Sequence, residues 1–294
     1  MSPPLRTAII GLSSGATTNW AAAAHLPSLL SPSGKAVFTI NTLCNSSTAA
    51  ASNAIETYNL DPSTVTPYGD PASLAADPAI DLVLCNTRVD KHLETVLPSL
   101  LAGKDVYIEW PIASNKSQID ELLAAAAQSG ARVAVGLQGR FAPPVVRVKE
   151  ILASGRIGKL LSSEVRFFGG TRDREILPVG LKYFAERNIG GNPITIGFGH
   201  GENILLLHYL VIDILILYSV IDYIQSVVGD IIPGTDHAHF QIQRPDIRVR
   251  DPQTNAIIDS IHSDVPDLLS LHGKLKREDD NLYLSANYET RIST

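Results

Sequence analysis

Cysteine is nearly absent from this chain: only Cys44 and Cys85 occur in 294 residues. At most one disulfide can form and a four-cysteine zinc site is excluded, so a reducing compartment fits best. Charge is sparse as well, at 18% of residues against about 25% in an average soluble domain. The 24 basic and 30 acidic side chains leave a net charge of −6. A nucleic-acid binder working by charge needs clustered Lys and Arg to displace counterions from phosphates, so that class is excluded. The opening Met1-Ser-Pro-Pro-Leu-Arg6 lacks the charged start, apolar centre and cleavage site of a secretory signal. The expected location is the cytoplasm, with the nucleus as the alternative. Residues 204–224 form the one long apolar run, but they carry His208, Asp213 and Asp222. An Asp near the centre of a bilayer costs about 2.5–3.5 kcal/mol, so no membrane partner is expected. Motifs of the G-x-S-x-G, H-E-x-x-H and Walker types are also missing.

Apolar residues make up 45% of the chain, enough for a sizeable core, and the length favours two domains. Over the first 137 residues, short apolar runs alternate with helical patterns, which marks strand–helix–strand units on a parallel sheet. The pattern predicts strands over 7–10, 37–43, 82–85, 106–108 and 133–137, apolar almost throughout as strands covered on both faces should be. Helices are predicted over 20–30, 48–59, 91–102 and 117–128, with caps for the last in Ser114-Asn-Lys-Ser117 and a stop at Ser129-Gly130. After Gly139 the texture changes to a helix over 145–153, a strand over 162–168, and Gly- and Pro-rich stretches with alternating segments such as 238–243. The fold expected is α/β over 1–137, doubly wound, followed by a mixed α+β domain over 138–294.

Gly11-Leu-Ser13-Ser14-Gly15 stands where the first strand hands over to a helix. Small residues there let backbone N–H groups approach a pyrophosphate, so a Rossmann-type dinucleotide site is expected, although Ser13 replaces the second glycine of G-x-G-x-x-G. At the end of the second strand Cys44-Asn45-Ser46-Ser47 offers neither the acid that holds the ribose of NAD nor an arginine for NADP. Asn86-Thr87-Arg-Val-Asp-Lys-His92, Glu109-Trp110-Pro111 and Gln138-Gly-Arg140 all follow strands, at the edge where open sheets bind ligands.

These residues carry a resemblance. Asn86 to His92, the E-x-P of Glu109-Trp110-Pro111, Gly155-Arg-Ile-Gly158 before a strand, and Gly190-Gly191 leading to His200 resemble the glucose–fructose oxidoreductase, inositol dehydrogenase and rhizopine catabolism (Gfo/Idh/MocA) family. The wording GLSSG, IEWP and LQGR is most similar to its fungal Gal80-like branch. The resemblance covers the chain up to about Gly273. It implies NADP or NAD as cofactor, and hydride transfer with a hydroxyl or carbonyl of a small sugar-like or secondary-metabolite substrate. It implies cofactor contacts from Gly11, Ser13, Ser14, Gly15, Asn45, Ser46, Asn86, Thr87, His92, Glu109, Trp110, Gln138 and Arg140. His200 would be the acid–base, with Asp222 and Tyr183 as helpers. The alternative it implies is a non-catalytic dinucleotide-sensing regulator that binds a protein partner, and in either case a homodimer through the second-domain sheet.

The chain departs from the family's enzymes at telling positions. Trp110 stands for the lysine of Glu-Lys-Pro, and an indole supplies neither a cation nor a shuttled proton. In D-x-G-x-H-x-x-D the first aspartate is Ile196, and Asn203 occupies the place of the second. Without residues 201–219 the chain would read His200-Val-Ile-Asp222, which restores H-x-x-D. Gly201-Glu-Asn203 and Ser219-Val220 admit codons holding a splice donor and acceptor with the frame kept, so 201–219 reads as a retained intron, with a real helical insertion as the alternative. After Gly273 the family's sheet strands are expected to be missing, leaving the second domain truncated. His237 and His239 share a strand face but indicate no third ligand, so no metal site is expected; His262, Asp264 and Asp267 read as loop residues.

Overall fold

The structure, a computed structural model, describes residues 3–16, 18–168, 175–198, 220–276 and 282–289. The chain divides into two compact units, Met1–Gly136 and Leu137–Thr294.

In the first unit β1 (Leu5–Ile10) leads through α1 (Leu26–Leu30) and α2 (Pro32–Lys35) to β2 (Phe38–Cys44) and α3 (Thr48–Thr57). There follow β3 (Thr66–Tyr68), α4 (Pro71–Ala76), β4 (Leu82–Cys85), α5 (His92–Leu101), β5 (Asp105–Glu109), α6 (Lys116–Ser129) and β6 (Val133–Gly136). The six strands form one parallel sheet in the order β3-β2-β1-β4-β5-β6. Side chains alternate across each strand, and both faces are apolar, so both are covered. Ala8, Ile10, Val83 and Val106 pack with Val96 and Leu100 of α5 and Leu122 and Ala125 of α6. Ile9, Leu43 and Leu84 pack on the other side with Leu26, Leu29, Ala51 and Ile55. The expected cap of α6 is Asn115, which accepts from Gln118 N at 3.1 Å, and its stop is Gly130 at φ +77°.

The helix predicted over 20–30 is wound in two pieces. Ala21–His25 is a π-turn in which Leu26 N donates to Ala21 O, and α1 continues from it. Pro27 has no N–H to offer the Ala23 carbonyl, which breaks the regular α ladder there.

The second unit opens with a 3-10 turn at Gln138–Phe141 and α7 (Pro143–Ala153). The Gly155-to-Gly158 turn, with φ of +69° and +74°, then feeds β7 (Ser162–Phe168). After β8 (Ile176–Pro178) come 3-10 turns at Val179–Ala185 and Arg187–Ile189, a π-turn at Pro193–Phe198, and α8 (Val220–Val228). The chain continues through β9 (His237–Gln241), β10 (Asp246–Arg250), β11 (Ile257–His262), β12 (Leu268–Leu275) and β13 (Leu282–Glu289). One sheet runs β7-β13-β12-β9 and another β11-β10-β8. Ile224 and Val228 of α8 are buried against Leu269 and Leu275, with Val165 packed alongside.

Two expectations are corrected here. The residues after Gly273 are part of the sheet: β13 lies between β7 and β12, parallel to the first and antiparallel to the second. Backbone pairing on both edges makes it an interior strand, which the charged Lys274-Leu-Lys-Arg-Glu-Asp-Asp280 ahead of it obscured. His262, expected in a loop, is instead the last residue of β11, whereas Asp267 does lie in the loop ahead of β12. Asp267 is buried and accepts from Gln243 N at 2.8 Å and Arg244 N at 2.9 Å, which fixes the connection between β9 and β10. His262 closes β11 and pairs with Asp246 at 3.0 Å.

Candidate dinucleotide site

The strand order reverses between β1 and β4, and the crevice outside their C-terminal ends is where open α/β sheets take ligands. The ladder runs one step past the strands there, with Gly11 N donating to Cys44 O at 3.0 Å and Asn86 N to Ile10 O at 2.9 Å. Gly11 has φ +91°, and a Cβ on it would stand 3.0 Å from the carbonyl carbon and oxygen of Asn86. Glycine is required on both counts. Beyond it Ser13 shapes a turn, its Oγ accepting from Gly15 N at 3.3 Å, while Ser14 and Gly15 are exposed.

Asn86 is the most informative side chain of the crevice. Both its Nδ2 and its Oδ1 are shielded from solvent and have no hydrogen-bond partner. Buried amides left unpaired are costly and uncommon in folded proteins, so a ligand bearing both a donor and an acceptor is the natural complement. The cradle at Gly11 and the orphan amide at Asn86 together fit a dinucleotide laid along this edge.

The end of β2 fits less completely. Asn45 Nδ2 donates to Leu12 O at 2.9 Å and Ala50 O at 3.3 Å, so its amide nitrogen ties the glycine loop to α3. Ser46 is exposed, Ser47 caps α3 by accepting from Ala50 N at 3.1 Å, and no carboxylate stands in this loop. Burial, helped by the charge of Asp70, pushes the Cys44 thiol up to about 11. Burial likewise raises Cys85, so neither sulfur is a nucleophile at neutral pH.

After β4, Thr87 Oγ1 lies 3.3 Å from Thr95 Oγ1 and 3.4 Å from Cys85 Sγ. His92 is 1% exposed, its Nε2 donating to Thr87 O at 2.8 Å and its Nδ1 lying 3.2 Å from Ile112 O. With both ring nitrogens on backbone carbonyls, His92 joins the loop after β4 to the loop after β5. These two contacts shape the crevice at which a cofactor contact is expected of it.

Glu109, at the end of β5, is buried and accepts from His25 Nε2, which arrives from the π-turn. The His25 ring meets that of Tyr107 edge-on with centroids 5.3 Å apart. Burial, with the neighbouring Glu109 charge and hydrogen bond, raises the Tyr107 phenol. Gly136 leaves the space this group needs: a Cβ there would come within 2.7 Å of Glu109 Oε2 and 2.8 Å of Tyr107 Oη. Glu109 is thus held from below while half-buried Trp110 follows it into the loop. His25 escaped the sequence reading, and its only signal was a histidine ahead of Leu-Pro in the first helix.

Within the second unit the structure brings Arg140 and Asp222 together. Arg140 Nε donates to Asp222 Oδ2 at 3.0 Å and its NH2 donates to Oδ1, so both carboxylate oxygens are engaged. Asp222 is buried, and its carboxylate in turn raises the pKa of the guanidinium. Gln138 is half-buried in the turn that carries Arg140. Tyr183 stacks edge-on with Phe184 at 4.8 Å and packs on the cluster of Leu177, Leu181 and Ile247, a different core from that of α8. His200 and residues 201–219 lie outside the described residues. Among the described residues, no helix is long and apolar enough to cross a membrane.

Comparison with known proteins agrees with this architecture. Residues 5–137 match the oxidoreductase family with NAD-binding Rossmann fold, GFO_IDH_MocA, and residues 143–294 match the Gal80p C-terminal domain. The second match runs beyond Gly273, where the resemblance had been expected to stop. Dehydrogenase aclE of Aspergillus oryzae is 31% identical over 214 residues, 71% of this chain and 50% of that protein. The galactose/lactose metabolism regulatory protein GAL80 of Saccharomyces cerevisiae is 30% identical over 208 residues, 69% of this chain and 46% of that protein. The chain therefore spans about half the length of the curated relatives it matches. A crystal structure of a super-repressor mutant of Gal80p from Saccharomyces cerevisiae superposes with TM-score 0.80 and 25% identity over 99% of this chain and 69% of that one. Levoglucosan dehydrogenase in complex with NADH and L-sorbose shares the fold, with TM-score 0.71 and 18% identity over 98% of this chain and 67% of that one. The chain belongs to the Gfo/Idh/MocA oxidoreductase family, in the form that joins its NAD-binding Rossmann fold to a Gal80p-type C-terminal domain.

Proposed function

We propose that the chain binds NADP or NAD along the C-terminal edge between β1 and β4 and works as an oxidoreductase on a hydroxyl or carbonyl of a small sugar-like or secondary-metabolite substrate. The observation that carries the dinucleotide reading is the buried, unpartnered Asn86 amide beside the Gly11 cradle. The oxidoreductase reading rests on the family and on the dehydrogenase relative. When bound, the nicotinamide supplies the hydride acceptor or donor. Gly11, Ser13, Ser14 and Gly15 admit the pyrophosphate, and Asn86 and Thr87 line the reacting edge. Glu109, fixed by His25, sets the position of Trp110. In the second unit His200 takes the proton of the hydroxyl being oxidised. Asp222, with both oxygens on Arg140, contributes a fixed charge rather than a proton shuttle.

A second reading is favoured by two particular residues. Trp110 brings no cation to the place where the family's enzymes carry lysine, and the Asp222 carboxylate is already occupied by Arg140. On that reading the protein senses the dinucleotide, turns nothing over, and passes the bound state to a regulatory protein partner, as a homodimer in the cytoplasm or nucleus. Titration with NADPH and NADH, followed by nicotinamide absorbance over a panel of polyols and sugars, separates the outcomes when the chain lacking residues 201–219 is tested beside the chain as written. Binding with turnover establishes the enzyme, and binding without turnover establishes the sensor. Failure of both dinucleotides to bind removes both readings.

A further inference from the structure

Within the first unit the Glu109 carboxylate is held from two directions. His25, the last residue of the π-turn at Ala21–His25, donates to its Oε1, and the Tyr107 phenol, two residues back on β5, hydrogen-bonds to the same side chain. Across the ladder Glu109 pairs with Gly136 of β6, where a Cβ would come within 2.7 Å of Oε2. The side chains of His25 and Glu109 are 16% and 9% exposed, so water reaches the pair poorly. A buried carboxylate that loses its partner is strongly disfavoured, and the pair therefore binds the end of β5 to the π-turn.

The two segments so joined serve different parts of the crevice. The π-turn continues the glycine loop: Asn19, between them, accepts from Ala23 N at 3.0 Å through its carbonyl and from Tyr58 Oη at 3.2 Å through its Oδ1. Glu109 is followed at once by half-buried Trp110. The strand order β3-β2-β1-β4-β5-β6 puts β2 and β5 on opposite sides of the point where it reverses. A dinucleotide with its pyrophosphate at the glycine loop and its adenosine ribose at the end of β2 carries its nicotinamide half over the ends of β4 and β5. His25 thus ties the chain that receives the pyrophosphate to the loop that faces the nicotinamide half.

We propose that His25 is a positioning residue for the nicotinamide half of the dinucleotide, acting through the Glu109 carboxylate on the loop that carries Trp110. The inference rests on the dinucleotide reading above. Removal of the imidazole frees the carboxylate to turn towards water, and Trp110 moves with it. The glycine loop and the end of β2 keep their own bonds, Gly11 N to Cys44 O and Asn45 Nδ2 to Leu12 O, so the adenosine half is left as it was. Glutamine in place of His25 preserves the link, because its amide N–H can donate to a carboxylate from nearly the position of Nε2.

The test measures, by calorimetry on the full chain, the affinities for NADPH and NADH and for ADP-ribose and its 2′-phosphate, the matching fragments that lack nicotinamide. His25→Ala is expected to weaken the better-bound dinucleotide by about tenfold, the equivalent of one good hydrogen bond, and to leave its fragment unchanged. His25→Gln should restore most of the loss. Equal weakening of dinucleotide and fragment overturns the proposal, because a merely structural role acts on both. So does undiminished dinucleotide affinity in His25→Ala, or a glutamine that fails to rescue it. Should His25→Ala fail to fold, Gly136→Ala displaces the same carboxylate from β6 and is expected to give the same selective loss, and its absence there overturns the proposal as well. A parent chain that binds neither dinucleotide nor fragment removes the dinucleotide reading itself, whereas binding of both without the selective loss removes only the role of His25.

Discussion

At the scale of single residues, Asn86 separates binding from stability. Its amide has no partner in the protein, so Asn86→Ala removes a desolvated group without breaking a protein hydrogen bond. The expected outcome is unchanged or raised thermal stability together with dinucleotide affinity weakened by about tenfold, the loss of one good hydrogen bond. Loss of stability together with retained affinity would remove Asn86 from the site. His92 carries a pH prediction. Burial holds its imidazole below the ordinary 6.5, so as pH falls below that value the unfolded chain takes up a proton that the folded chain refuses. The contribution is fully present above 6.5 and is lost as pH falls towards the folded value. Urea midpoints at about pH 7.5 and about pH 5.5 should therefore fall more for the parent chain than for His92→Gln, and equal slopes would refute the account. Gly11 and Asn86 were legible in the sequence because strand ends and small residues mark a phosphate crevice. The structural duties of Asn45 and His92 were not, since both depend on backbone carbonyls brought close only by tertiary folding. The His25 contact with Glu109 spans 84 positions and left no local trace.

At the scale of elements, the Gln138–Phe141 turn and α8 are joined by an ion pair between Arg140 and Asp222. Asp222 has a side chain 8% exposed and Arg140 one 42% exposed, so removal of the arginine strands a buried carboxylate. Arg140→Ala should cost about 2–3 kcal/mol in urea unfolding, and Arg140→Ala with Asp222→Ala together should cost less than the sum of the two. Strict additivity would show that the pair is not coupled. The strands of the first unit were readable because they are covered on both faces and so form continuous apolar runs. β3 was not, being three residues long with Pro67 inside it, nor was α4, a helix of only six residues. In the second unit sequence alternation located β7, but no local pattern announced that β13 would return to lie beside it. That pairing is non-local, and its partner strand lies more than a hundred positions earlier in the chain.

At the scale of the whole molecule, each unit has its own apolar core, and the question left by the sequence concerns what joins His200 to α8. Asp222 lies in the first turn of α8, and three-residue spacing would put a histidine on the same helical face as that carboxylate. The chain as written separates His200 from Asp222 by residues 201–219 in addition to Val220 and Ile221. The inserted stretch has a composition foreign to either flank: a long apolar run whose ends coincide with sites that splice signals can occupy. The expected outcome is a mature transcript lacking codons 201–219 and a native protein whose intact mass is lower by that segment. A chain shortened in this way should then show whatever nicotinamide-dependent turnover the family's chemistry allows, because the H-x-x-D spacing is restored, while the longer chain retains dinucleotide binding through its independent first unit and shows no turnover. A native mass that includes 201–219 would sink the splicing account. It would also leave His200 divided in sequence from the fixed charge of Asp222 and shift the balance towards a protein that binds the dinucleotide without using it as a reagent.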